Sequence, residues 1–230
     1  MYEFAYLFGI GIAFIFWLLF FLLRKDLRKE QIFISFLSTP LGPISQIFWF
    51  SNSYWRPEYL FSIKILGVDI GVEEALFGFV TGGIGSVIYE VIFRKEVSYG
   101  RRRTILAVSI FLGGALLFAL LAAGGLNPIW ASTLALFVTA LIMVYFDRDL
   151  KSDFLFSGIL MLFIAIIIYF FTLSLYPDLV EQFWVAGGLS GITLFRIPAE
   201  ELTWFVSWGT FAGIFYEFWR NTENYSPHIF

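Results

Sequence analysis

Pro198-Ala199-Glu200-Glu201-Leu202-Thr203-Trp204 opens a long apolar run that closes on Tyr216-Glu217. Gly71-Val72-Glu73-Glu74-Ala75-Leu76-Phe77 opens an earlier run that closes on Tyr89-Glu90. The spacing from Glu73 to Tyr89 equals that from Glu200 to Tyr216, and Gly82 and Gly209 fall at the same offset. Such a register is an internal duplication, and it has to be recognised before the fold is read. Adjacent carboxylates at the mouth of a membrane helix are costly, so each pair marks a functional position.

The rest of the chain makes the membrane reading unavoidable. Of 230 residues, 59% are hydrophobic and 14% charged. A soluble domain of that size cannot bury so much apolar surface. Seven runs approach the roughly 20 residues that cross about 30 Å of hydrocarbon. They lie at about 2–23, 31–50, 72–93, 104–124, 128–146, 154–176 and 198–219. The first has no basic start and no small-residue cleavage site, so it reads as a span rather than a signal peptide. The expected fold is an all-α polytopic bundle of about seven helices.

Lysine and arginine set the expected orientation. Twelve fall on one side, among them Arg24, Lys25, Arg94, Lys95 and Arg148, and only Arg56, Lys64 and Arg196 on the other. The positive-inside bias puts the amino terminus outside and the carboxyl terminus in the cytoplasm. The runs divide as three, one and three. Residues 1–93 form a first three-helix repeat, 94–127 a basic linker with a connecting helix, and 128–230 a second repeat. A single connecting helix gives both copies the same orientation, with a pseudo-two-fold axis along the membrane normal and a shared site between them.

Several classes are excluded. A net charge of -3 leaves no cation surplus for nucleic acid. There is no cysteine, and the one histidine, His228, lies in the polar tail, so no thiolate or histidine-rich metal site is expected. Gly82-Gly83-Ile84-Gly85 lacks the spacing of a nucleotide loop. Retinal linkage needs a lysine in the last span, and 198–219 has none. The paired-glutamate prenyl proteases need a following arginine and later histidines, which are missing.

At about 100° per residue, Glu201, Trp204 and Trp208 share one stripe, as do Glu74, Phe77 and Thr81. Glu73 and Glu200 sit one step round, free to cap their helix starts. A carboxyl above an aromatic wall can act as an acid and the rings can stabilise a cation. The neighbouring glutamate, if ionised, would take the proton back. Tyr89-Glu90 and Tyr216-Glu217 are expected near the cytoplasmic end, with Glu90–Arg94 and Glu217–Arg220 as helical ion pairs. Tyr54-Trp55 and Phe183-Trp184 read as an interfacial belt on loops long enough to cap the bundle. Pro40 and Pro43 kink the second run, either as a packed bend or as a cavity wall. Gly78-x-x-x-Gly82 and Gly209-x-x-x-Gly213 are close-approach motifs.

With these residues in place, the chain resembles the integral-membrane lycopene cyclase domains of carotenoid biosynthesis, as a tandem fusion of two small-subunit-type domains. Trp55, Gly67, Glu73, Glu74, Phe77, Tyr89 and Glu90 carry the resemblance in the first copy. Pro198, Glu200, Glu201, Trp204, Tyr216 and Glu217 carry it in the second. Gly71 departs from the family's proline, and Thr203-Trp204 from an aromatic pair. The resemblance implies a redox-neutral cyclisation of a carotenoid polyene, with no bound cofactor and no metal, in a prokaryotic plasma membrane. Glu73, Glu74, Glu200 and Glu201 would be catalytic. Trp55, Phe77, Thr81, Tyr89, Trp204, Trp208 and Tyr216 would contact the substrate. Membrane lipid and a long isoprenoid are the expected partners, and a homodimer stays open. A carotenoid carrier and an end-group hydratase are the alternatives.

Overall fold

The computed structural model describes residues 2–96 and 98–223; His228 lies outside them. The chain is an all-α bundle. Helix α1 is Ala5–Leu23, an uninterrupted apolar run that stops at the charged Arg24. The second run is broken, as its prolines require. Helix α2 (Arg28–Ser38) ends just before Pro40, α3 covers Leu41–Ser45, and a π-helical turn follows at Gln46–Phe50. Pro40 and Pro43 lack the N–H that would continue the ladder.

The third run is also two helices, α4 (Val72–Gly85) and α5 (Ile88–Phe93), which the sequence reading treats as one. Gly82, Gly83 and Gly85 cost about 1 kcal/mol each relative to alanine, and Ser86 Oγ donates back to Gly83 O at 3.2 Å. Val87 leaves helical geometry at φ -130°, ψ 0°. The run opened by the other glutamate pair, α9 (Ala199–Arg220), is continuous. Between them lie α6 (Thr104–Ala123), α7 (Pro128–Phe146) and α8 (Lys151–Leu175). Helix α7 starts where its sequence says it should: Asn127 caps the Ile129 N–H at 3.1 Å, with Pro128 at the first helical position.

Among the described residues six helices, including the broken second and third runs, are long and apolar enough to cross a membrane. Helix α9 reaches about 33 Å at 1.5 Å per residue, but its glutamates, serine and threonines lower its hydropathy. It tolerates them because it is the central helix, buried along most of its length from Glu200 to Phe218.

Helix α4 packs on α1 and α2, and α9 packs on α7 and α8. Small residues set the closest approaches. A Cβ on Gly82 would sit 2.4 Å from Ser38 Oγ, and one on Gly213 2.3 Å from Ser157 Oγ. The two central helices meet at Gly85, where a Cβ would lie 2.9 Å from that of Ala212. These contacts are van der Waals packing of the kind that holds helices together in lipid.

The connections that precede α4 and α9 contain β-hairpins that the sequence reading did not foresee. Strand β1 (Ser62–Ile65) pairs with β2 (Val68–Gly71), and β4 (Thr193–Leu194) pairs with β5 (Ile197–Pro198). The first turns at Leu66-Gly67 and the second at Phe195-Arg196, all four with positive φ. At the opposite end β3 (Ser98–Tyr99) pairs with β6 (Thr222–Glu223).

The expected Glu90–Arg94 pair is not formed, because Arg94 ends its helix in left-handed geometry at φ 54°. Lys95 takes the carboxylates instead, bonding Asp153 at 2.6 Å and Glu217 at 2.9 Å. The linker expected to be merely basic and exposed therefore sends one lysine inward.

Candidate active site

Each β-hairpin delivers a glutamate pair to the top of the bundle. Gly71 and Pro198 end the hairpins, and α4 and α9 begin immediately after them. The two carboxyls of each pair then diverge. Glu73 Oε1 accepts the Leu60 N–H at 2.8 Å, and Glu200 Oε1 accepts the Ser190 N–H at 2.5 Å. These two glutamates clamp the preceding loops rather than cap their own helices, and neither lines the central cavity.

Glu74 and Glu201 do line it. Glu74 accepts from Tyr59 Oη (2.8 Å), Trp55 Nε1 (3.0 Å) and Tyr6 Oη (3.2 Å). Glu201 accepts from Tyr54 Oη (2.7 Å), Tyr169 Oη (2.8 Å) and Trp184 Nε1 (3.1 Å). Each carboxyl thus has two phenols and one indole. The two sites are chemically the same although they draw their tyrosines from different places. Tyr6 and Tyr169 come from α1 and α8, whereas Tyr54 reaches from the loop before α4 to the glutamate of α9. Trp55 and Trp184 pair as an isolated β-bridge with ring centroids 4.3 Å apart, which ties the two loops together.

The interfacial-belt reading of Tyr54, Trp55 and Trp184 is therefore corrected. Tyr54 is 1% exposed and Trp184 6%, and their polar atoms hold carboxyls. Burial, then the Glu201 charge, pushes the Tyr54 hydroxyl well above its usual range, and burial followed by Glu74 does the same for Tyr59. Both remain donors at neutral pH. A raised folded-state pKa gives stability that is complete below the ordinary tyrosine value of about 10 and is lost as pH rises beyond it. Ultraviolet titration should show these two phenols ionising only as the protein unfolds in alkali.

Gly71 has a local explanation. A Cβ there would sit 2.1 Å from the Tyr59 ring, so the missing side chain makes room for the ring that serves Glu74. Pro198 stands at the matching place before α9, where Glu201 draws its phenols from Tyr54 and Tyr169. Gly71→Ala is expected to displace Tyr59 and to match Tyr59→Phe in effect. The loss is about 1.5–3 kcal/mol for a hydrogen bond to a charged group, read as a fall in thermal midpoint. A Gly71→Ala protein as stable as the parent would refute the steric account.

Below the carboxyls the cavity, about 390 Å³, is walled by rings. Trp204 and Trp208 stack at 5.6 Å with 6° between planes, and Phe77 stacks on Trp204 at 6.0 Å. Thr81 also lines the cavity, its hydroxyl donating to Phe77 O at 2.7 Å. Tyr89 and Tyr216 do not. Tyr89 packs on Phe93 and Phe156 near Lys95, and Tyr216 on Phe33 and Trp219. The structure brings together Trp55, Glu74, Phe77, Thr81, Glu201, Trp204 and Trp208, and leaves Glu73, Tyr89, Glu200 and Tyr216 outside. Sequence reasoning missed Tyr6, Tyr54, Tyr59, Tyr169 and Trp184. Tyr54-Trp55 and Phe183-Trp184 occupy matching loops, a signal that could have pointed to them.

The cavity lies among apolar helices, with paired acids at one end and an aromatic wall beneath. Residues 127–219 match the family model described as lycopene cyclase. This segment is similar to the lycopene cyclase family. No curated protein and no solved structure matches the chain. The matched segment holds α7, α8 and α9, hence Tyr169, Trp184, Glu201 and Trp204. The similarity to the lycopene cyclase family supports a carotenoid-cyclase-like function for a chain rich in apolar helices.

Proposed function

We propose that this protein cyclises the linear ends of a carotenoid polyene by proton transfer, without net redox change. The carrying observation is the pair Glu74 and Glu201, each held by three donors over one aromatic cavity. One carboxyl gives its proton to the terminal carbon–carbon double bond, leaving a tertiary carbocation. A double bond further along the chain attacks that cation and closes the ring. A ring C–H proton then departs, so the product is an isomer of the substrate. Preorganised phenol and indole donors strengthen their hold as negative charge develops on the acid. Trp204, Trp208 and Phe77 face the cation.

Glu73 and Glu200 bond loop backbone, so the base in this scheme is the second cavity glutamate rather than the adjacent residue. The two three-helix repeats, 1–93 and 128–230, would share this single site, with their basic loops toward the cytoplasm of a prokaryotic plasma membrane. Expression in cells that accumulate lycopene tests the reading by extraction and chromatography of the pigment. Cyclic product supports it. Hydroxylated product indicates a hydratase, and unchanged lycopene a carrier.

A further inference from the structure

The cavity is not closed toward the bilayer. Two of its lining residues, Ile44 on α3 and Ala115 on α6, are exposed on the outer surface of the bundle, Ile44 at 46%. Helix α6 packs on α7 and α9 and buries only Ala107 and Ile110. Across the gap from the second run, the rings of Trp49 and Phe118 meet edge-on, 4.7 Å apart. Both rings also line the cavity. A π-helical turn holds Trp49, a geometry that recurs at functional sites.

We propose that this gap between the second run and α6 is a lateral port, with Trp49 and Phe118 as its gate, for one end of a long apolar polyene. The inference rests on the cyclase reading and adds where the substrate enters and how much of it the protein holds. A volume of about 390 Å³ is at the lower end of the roughly 300–1,000 Å³ of ligand pockets. It takes an end group and the chain beside it; the remainder passes between the rings and lies in the lipid. A substrate with two reactive ends would have to withdraw and return reversed, so a product cyclised at one end is an obligatory intermediate. The port faces hydrocarbon, where such a polyene is dissolved, so no aqueous transfer is needed.

The chain has no cysteine, so a cross-link can be placed at the gate alone. In the Trp49→Cys/Phe118→Cys variant, reconstituted in lipid vesicles, the two thiols are joined by a short cleavable bis-maleimide. The probe is a fully saturated-ended conjugated polyene that cannot cyclise, added to the vesicle lipid and followed by quenching of the remaining tryptophans. Cross-linking should reduce quenching at least tenfold. Cleaving the link should restore it, and each single-cysteine variant carrying the reagent should quench like the untreated protein. Equal quenching in the linked and cleaved forms overturns the port. Cyclisation of lycopene is measured on the same samples. Gated quenching without cyclic product would leave the port standing and remove the cyclase reading; cyclic product that persists when linked would do the reverse.

Discussion

Glu201→Gln is expected to lower formation of cyclic carotenoid roughly 100- to 10,000-fold, the range that general acid–base groups contribute. Glu74→Gln should do the same. Glutamine keeps the size of the side chain but carries no transferable proton, and its amide presents N–H groups to neighbours that are themselves donors. Pigment extraction from lycopene-accumulating cells gives the activity, and the thermal midpoint of the purified proteins shows whether the fold survives. A loss in only one variant would assign the acid or the base to one copy. Near-full activity in both would remove the two cavity carboxyls from the chemistry. In heavy water the mechanism places one solvent-derived deuterium in each ring formed, measurable by mass spectrometry. Glu73→Gln and Glu200→Gln should act differently, by loosening the loops over the cavity.

Lys95→Met should destabilise the protein by about 3–5 kcal/mol, the cost of stripping one partner from a buried ion pair. The side chains of Asp153 and Glu217 are 2% and 0% exposed, and that of Lys95 17%. Glu90 is buried beside them, and oxygens of the three carboxyls lie within 4.8 Å of one another. Burial lowers the Lys95 pKa, but Glu217 and Asp153 more than offset it, and the ammonium group titrates above its usual range. Its contribution is therefore full below the unfolded value of about 10.4 and lost as pH rises through the folded one. Adding Asp153→Asn and Glu217→Gln to Lys95→Met should recover part of the loss by removing the stranded charges. Thermal unfolding in detergent measures both, and an unchanged midpoint for Lys95→Met would show that the carboxylates find another cation.

The same cluster illustrates how far local reading goes. Helical spacing pairs Glu90 with Arg94 and Glu217 with Arg220 because those residues share a face. The first pairing does not form, and Lys95, just past the helix end, bonds Glu217 and Asp153 from two other helices, at no spacing that a helix could announce. The broken third run is a similar case. Its glycines are visible in the sequence, yet α9, the run with the matching glutamate opening, has glycines too and stays continuous. The difference is local, in Ser86 and the extra Gly83 and Gly85, and in the crossing with Ala212.

What the sequence determined by itself is everything that depends on composition and period: an apolar helical bundle, the duplicated glutamate openings, the kink at Pro40, and the stripes that put Glu74 with Phe77 and Thr81 and Glu201 with Trp204 and Trp208. Those follow from the hydrocarbon thickness and from the fixed turn of a helix. The tertiary structure alone decided what surrounds each carboxyl. Tyr6, Tyr54, Tyr59, Tyr169 and the two indoles arrive from separate helices and loops. Their meeting is fixed by how the helices pack at their glycines and serines, and by the hairpins that fold the loops before α4 and α9 back over the cavity. Chain periodicity carries information only along one element, whereas a hydrogen bond between residues 147 positions apart, as for Tyr54 and Glu201, exists only once the elements have docked.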